Sequence, residues 1–142
     1  MRLLVATPLS IVLDRGDVAG IRAEDETGAF GILEGHADFL TALSISVITW
    51  RNHDGALHHL AVSGGMLEVQ DGHVVRVATR EAVADDDLER LQSEVLSAFR
   101  RRSEVERTAR TDAQRLYLAA LRQIQRLLRA TPANATPGGR AP

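Results

Sequence analysis

The hydrophobic period of this chain changes once, near residue 82, and that single change decides what it can fold into. Before it, short runs rich in Val, Ile and Leu alternate with turn residues. The runs are Leu3–Thr7, Ile11–Leu13, Val18–Ala23, Ala29–Leu33, Ile45–Trp50, Ala56–Val62, Met66–Gln70 and Val74–Ala78. Gly16, Gly20, Asp25 to Gly28, Gly35, Asn52 to Gly55, Gly64-Gly65 and Asp71-Gly72 separate them. Short strands at this spacing predict an antiparallel β-sandwich or barrel over residues 1–83. Asp71-Gly72 between two apolar runs is a strong hairpin signal.

After the change the period is helical. Asp85-Asp86-Asp87 suits a helix N-terminus, where carboxylates cap free N–H groups and complement the dipole. Leu88, Leu91, Val95, Ala98 and Phe99 then recur at helical spacing. A polar stretch around Arg107 to Thr111 predicts a break, and Leu116, Ala120, Leu121, Ile124, Leu127 and Leu128 predict a second helix. The expected fold is therefore a β-sandwich followed by a two-helix antiparallel hairpin over 84–130. Residues 131–142, rich in Pro, Gly and Ala, read as a disordered tail. About 80 residues can bury a core of their own, although a marginal one. Two short helices in water cannot, so the hairpin must dock on the sandwich or on another protein. An element with two docking surfaces is a candidate switch.

Two glycine runs stand out. Gly28, Gly31 and Gly35 shape the segment Gly28-Ala29-Phe30-Gly31-Ile32-Leu33-Glu34-Gly35-His36, which holds one imidazole at its corner. Ser63-Gly64-Gly65 opens a second shaped turn. Neither contains a nucleophile elbow, a Walker A loop or a dinucleotide fingerprint, and Ser63 lacks a following helix. Asp14, Asp17 and Glu24 are scattered among turns, so no catalytic residue is assigned. The chain has no cysteine, and His58 and His59 on one strand face opposite sides, which argues against a metal site. No apolar run reaches a bilayer-spanning length and no signal-peptide pattern opens the chain, so a cytosolic protein is the default expectation.

All 17 basic residues are arginine. Residues 1–85 carry 6 arginines against 12 acidic residues, whereas residues 86–130 carry 10 against 7. The pI of about 6.2 falls short of a nucleic-acid-binding footprint. An acidic protein surface is the sharper reading of the basic helical half, where several Arg–carboxylate pairs together could bias a two-state element. A free-standing binding module with an oligomerising hairpin is the competing class.

The segment Phe30-Gly31-Ile32-Leu33-Glu34-Gly35-His36-Ala37-Asp38-Phe39-Leu40-Thr41, followed by Ser63-Gly64-Gly65-Met66-Leu67-Glu68-Val69, resembles the two signatures of the epsilon subunits of F-type ATP synthases. The resemblance runs from Leu3 to about Ala130. It implies a non-catalytic rotor subunit of the central stalk, peripheral to the cytoplasmic side of a bacterial inner membrane. Its sandwich would bind the gamma subunit and rest on the c-ring, with Gly28, Ala29, Glu34 and His36 as ring-facing candidates. Its hairpin would either fold against the sandwich or extend toward the alpha/beta hexamer and impede ATP hydrolysis. Asp87, Arg90, Arg100, Arg101, Arg115, Arg122 and Arg126 are the regulatory candidates. The segment Ser44 to Arg51, with Phe39-Leu40-Thr41, is more similar to the alternate, second-operon F-type ATPases, and leaves proton or sodium open. Some relatives bind regulatory ATP through an (Ile/Leu)-Asp-x-x-Arg-Ala motif. Asp87-Leu88-Glu89-Arg90-Leu91 keeps its Asp and Arg, but Asp86 and Leu91 replace the flanking residues and a later arginine falls on Ser97. No cofactor is therefore expected.

Overall fold

A computed structural model describes residues 1–130. Eight strands come first: β1 (Arg2–Ala6), β2 (Ile11–Arg15), β3 (Val18–Asp25), β4 (Gly28–Leu33), β5 (Phe39–Asn52), β6 (Leu57–Gln70), β7 (Val74–Ala78) and β8 (Ala82–Ala84). A short helical start, α1 (Leu88–Arg90), passes through one wide π turn at Leu91–Val95 into α2 (Leu96–Ala130). The strands form one sheet in the order β2-β1-β7-β6-β5-β3-β4, antiparallel as expected except that β1 and β7 run parallel. The edge of β6 is shared: β7 pairs with Met66–Gln70 and β8 with Leu60–Val62.

The long ribbon of β5 and β6 folds this sheet into two layers. Its register is unbroken, with Phe39 opposite Val69 at one end and Arg51 opposite Leu57 at the other. The face turned to the core nevertheless changes along it. Leu43, Leu67 and Val69 are buried in the core at one end, and Ile48, Trp50, Leu60 and Val62 at the other. Side chains alternate with period 2, so passing from odd to even positions requires a local departure from the pleat. On β6 that departure is Gly64-Gly65, with φ of +92° and +122°. A Cβ on Gly65 would collide with the carbonyl oxygen of Ala78 in β7. On β5 the corner falls between Leu43, opposite Gly65, and Ile45, opposite Ser63, and the β3 pairing shifts nearby, between Arg22 and Asp25. Residues from β1, β3, β4, β5, β6 and β7 therefore converge on one core.

The base of the helix packs on the outer face of the same ribbon. Leu91, Leu96 and Phe99 join Ala61, with Ile45, Val47 and Val95 around them. The π turn widens the helix between Leu91 and Leu96, so both residues reach the sheet although they are five apart. Backbone contacts divide the chain into one unit of Met1–Arg102 and a second beginning at Ser103.

Several expectations need correction. Residues 107–111 do not break the helix; α2 runs through them, so the described residues carry one long helix where a hairpin is expected. The stretch Thr108-Ala109-Arg110-Thr111 contains neither Gly nor Pro, and its residues cost only tenths of a kcal/mol each in a helix. Thr111 Oγ1 donates back to the Arg107 carbonyl at 3.0 Å, which keeps its hydroxyl inside the helical pattern. Gly64-Gly65 separates no strands, because β6 passes through it. The expected strand Ile45–Trp50 is the middle of the longer β5. The strand β8 was not anticipated, and the first helical residue is Leu88. The tail, 131–142, lies outside the described residues.

Candidate interaction surfaces

At one end of the sandwich two turns are stitched together. The turn after β4 contains Glu34, Gly35 and His36; the turn after β6 contains Asp71 and Gly72. The Gly35 N–H donates to the Gly72 carbonyl at 2.8 Å, and the Asp71 N–H donates to Asp38 Oδ1 at 2.9 Å. Gly35, Asp71 and Gly72 all have positive φ. A Cβ on Gly72 would come within 3.1 Å of the Gly35 Cα, so the two backbones approach as closely as glycine permits.

The imidazoles here are oriented by main chain. His36 Nδ1 lies 2.7 Å from the Ala37 carbonyl, and His73 Nδ1 lies 2.7 Å from the Asp71 carbonyl. A carbonyl only accepts, so each Nδ1 carries the proton and Nε2 is left for another partner. The His36 ring also meets the edge of Phe39, 5.8 Å between centroids. Glu34 accepts from the chain's N-terminal ammonium at 2.9 Å, and that hydrogen bond holds its carboxyl below the usual glutamate range. Glu34, Gly35, His36 and His73 thus form one wet end with a carboxylate and two imidazoles held by main-chain carbonyls.

Gly28 and Ala29 are not part of it. They sit at the opposite end of β4, a six-residue strand, so roughly 17 Å of extended chain separates the two candidate groups. Gly28 has φ of +119° and closes the β3–β4 hairpin. The Asp25 carboxylate braces this hairpin, accepting from the Thr27 N–H (2.9 Å), Thr27 Oγ1 (2.6 Å) and Thr41 Oγ1 (2.8 Å). The Thr27 and then the Thr41 hydroxyl hold it below the usual aspartate range. Gly31 lies mid-strand opposite Arg22. Ser63 and Gly65 belong to the ribbon corner: Ser63 Oγ accepts from the Glu81 N–H at 3.1 Å, and its own N–H donates to the Glu81 carbonyl at 3.1 Å.

Asp87 and Arg90 are engaged in starting the helix. Asp87 caps it by accepting from the Arg90 N–H at 3.2 Å, and the Arg90 guanidinium reaches Asp85 at 3.0 Å and Glu94 at 3.4 Å. Arg101 Nε donates within the helix to the Ser97 carbonyl. Arg102, a neighbour not singled out from sequence, pairs with Glu81 at 2.6 Å and lies 5.3 Å from the Phe99 ring centroid. In the second unit, Arg115, Arg122 and Arg126 are exposed on α2, at spacings of seven and four residues that share one face. Leu116, Tyr117, Leu121, Ile124 and Leu128 are exposed there too.

Reasoning from sequence missed one surface. On the outer face, cross-strand pairing aligns Ala42, Met66, Ala78, Ala6 and Ile11 across β5, β6, β7, β1 and β2. Met66 is 43% and Ile11 64% exposed, and Leu9 beside them is 95% exposed. A groove of about 460 Å³ lined by Ala6, Pro8, Gly65 and Ala78 borders the row. The alternation around Leu67 and Val77 was the available signal, but which strands lie side by side was not. Among the described residues no group of three or more His, Asp or Glu converges as a metal site. No described helix is long and apolar enough to cross a membrane.

Comparison with known proteins supplies the context. Residues 1–85 match the family described as ATP synthase, Delta/Epsilon chain, beta-sandwich domain. The chain is 40% identical over 129 residues to ATP synthase epsilon chain 2 of Paraburkholderia xenovorans, covering 91% of this chain and 93% of that one. It is 39% identical over 132 residues to ATP synthase epsilon chain 2 of Cereibacter sphaeroides, covering 93% and 90%. Among solved structures it resembles a chain of the Euglena gracilis mitochondrial ATP synthase assembly of OSCP, F1 and c-ring. That match has TM-score 0.56 and 28% identity, and covers 68% of this chain and 61% of that one. A chain of the Tetrahymena thermophila ATP synthase central stalk and c-ring, at 14% identity and TM-score 0.53, shares the fold. The sandwich, its signature turns and relatives matched over nine-tenths of the length agree: this chain belongs to the ATP synthase delta/epsilon family, as a non-catalytic epsilon-type subunit of the F-type enzyme.

Proposed function

We propose that the chain is a coupling element of the rotor, held to the gamma subunit by its sandwich and seated on the c-ring by the stitched end that contains Glu34, Gly35 and His36. The observation that carries the ring contact is the double turn itself. Two glycine turns locked by the Gly35–Gly72 hydrogen bond form a stiff foot, and torque transmission needs stiffness at the point of contact. Glu34 and the free Nε2 of His36 offer polar partners to the polar loops of such a ring. Gly28 and Ala29, at the far end of β4, belong to a different surface and are less suited to the same contact. The apolar row Ala42–Met66–Ala78–Ala6–Ile11 is the better candidate for gamma, because burying a patch this broad needs a large, constant partner.

The C-terminal helix is the regulatory part of this proposal. Its exposed face, with Arg115, Arg122 and Arg126, suits the acidic surface of an alpha/beta hexamer, where an extended helix would impede hydrolysis. Folding back near residues 107–111 would give the alternative hairpin, where Thr108 and Thr111 are weaker helix formers than the Leu, Arg and Ala that flank them. In this reading the chain is peripheral to the cytoplasmic side of a bacterial membrane, through the complex alone. Because the chain lacks cysteine, His36→Cys and Met66→Cys give clean cross-linking probes in a complex whose ring or gamma subunit carries a partner cysteine. Position 36 should cross-link to the ring and position 66 to gamma. Efficient cross-linking of position 36 to neither would remove the foot.

A further inference from the structure

A groove of about 530 Å³ lies within the first unit, between the base of the helix and the outer face of the sheet. The pairing register aligns Arg22 of β3, Thr49 of β5 and His59 of β6 as one cross-strand row on its floor. Leu88, Gln92, Leu96 and Arg100, spaced four apart, form the helical wall. The volume is that of a small-ligand site.

Most of the polar groups around this row can donate. Thr49 Oγ1 and His59 Nδ1 are hydrogen-bonded at 2.8 Å. If threonine donates, His59 keeps an N–H on Nε2; if Nδ1 donates, the threonine hydroxyl keeps its proton. Either arrangement leaves one donor unspent. Arg22 and Arg100 have no partner among the described residues, whereas Arg2, Arg90 and Arg102 of the same unit each hold a carboxylate. Unpaired guanidinium groups beside a polar row, in a groove with apolar walls at Leu88, Leu96 and Val47, match the forked acceptors of a phosphate group. Glu24 also lines the groove, two positions along β3 from Arg22, and disfavours an anion at its own end.

We propose that this groove binds a phosphate-bearing anion, received by the Arg22–Thr49–His59 row with Arg100 on the opposite wall. The site uses neither Asp87 nor Arg90, whose side chains are engaged in starting the helix. It concerns the isolated chain and does not rest on the rotor reading.

The test titrates the full-length chain, at low salt, with inorganic pyrophosphate in one arm and a nucleoside diphosphate in the other, following the NMR signals of His59 and Thr49. Saturable shifts at both residues are expected. Arg22→Ala should weaken binding about tenfold or more, as loss of a charged hydrogen bond does. Glu24→Gln should tighten it. Both positions are exposed, so neither variant disturbs the core. Clearly tighter binding of the nucleoside diphosphate through the same residues assigns the phosphate to a nucleotide; equal binding assigns it to free phosphoanions. The proposal is overturned if millimolar pyrophosphate leaves His59 and Thr49 unmoved, or if Arg22→Ala binds as well as the parent.

Discussion

Replacing Gly65 with alanine tests the corner on which the two-layer fold depends. Two costs add. A non-glycine residue held at φ of +122° is strained by about 1–3 kcal/mol. The new methyl group also collides with the Ala78 carbonyl, so β6 and β7 must separate, an overpacking cost of about 1–3 kcal/mol. The sum, roughly 2–6 kcal/mol, is a large part of the 5–15 kcal/mol typical of a domain. Gly31→Ala is the control: its φ is ordinary and the added Cβ would meet only the Ile21 carbonyl at 3.8 Å, so it should be neutral or stabilise by up to about 1 kcal/mol. The single tryptophan, Trp50, is 4% exposed in the core and reports unfolding of this unit directly. Urea titrations followed by its fluorescence should show a large drop in midpoint for Gly65→Ala and none for Gly31→Ala. A Gly65→Ala protein within about 0.5 kcal/mol of the parent, the ordinary scatter of surface substitutions, would refute the corner.

Asp25 predicts a pH dependence. Its carboxyl is held below the usual range, so the stabilisation is complete above the unfolded value near 3.9 and is lost as pH falls through the folded one. The stability difference between parent and Asp25→Asn should therefore be constant at neutral pH and shrink below about pH 4; a difference independent of pH would contradict the assignment. Phe99→Ala empties the contact that seats the helix base on Ala61, Ile45 and Val47, and should cost about 3 kcal/mol locally. Amide exchange should quicken over Leu91–Arg102 while β5 and β6 stay protected, and uniform acceleration would argue against a separate satellite cluster. Deleting residues 103–142 should leave assembly intact and raise ATP hydrolysis by the complex, whereas unchanged hydrolysis would dismiss the regulatory role of α2.

The strands were legible because their signals are local: Asp71-Gly72 marks a hairpin and the alternation of Met66 to Gln70 marks a one-sided strand. Gly64-Gly65 carries the same local signal as a turn. Whether two glycines reverse a chain or twist it depends on what approaches them, here the Ala78 carbonyl, which lies outside any short window. The stretch at Arg107–Thr111 misleads for the opposite reason, since it is polar but has no residue that excludes a helix. The Gly35–His36 corner was legible as a shaped turn. Its attachment to Gly72 was not, nor was the distance between Gly28 and His36, because one is a long-range contact and the other follows from the length of β4. The groove at Arg22, Thr49 and His59 depends on two strand registers at once, and no single segment announces it.

The central claim is that this chain couples rotation to ion movement without catalysing anything itself. Reconstituting the complete ATP synthase with and without the chain, and measuring ions pumped per ATP hydrolysed, tests it most directly. The account predicts that omission leaves hydrolysis by the catalytic subunits in place and abolishes most ATP-driven pumping, with both restored to coupling when the chain is added back. Full pumping in its absence would contradict the account.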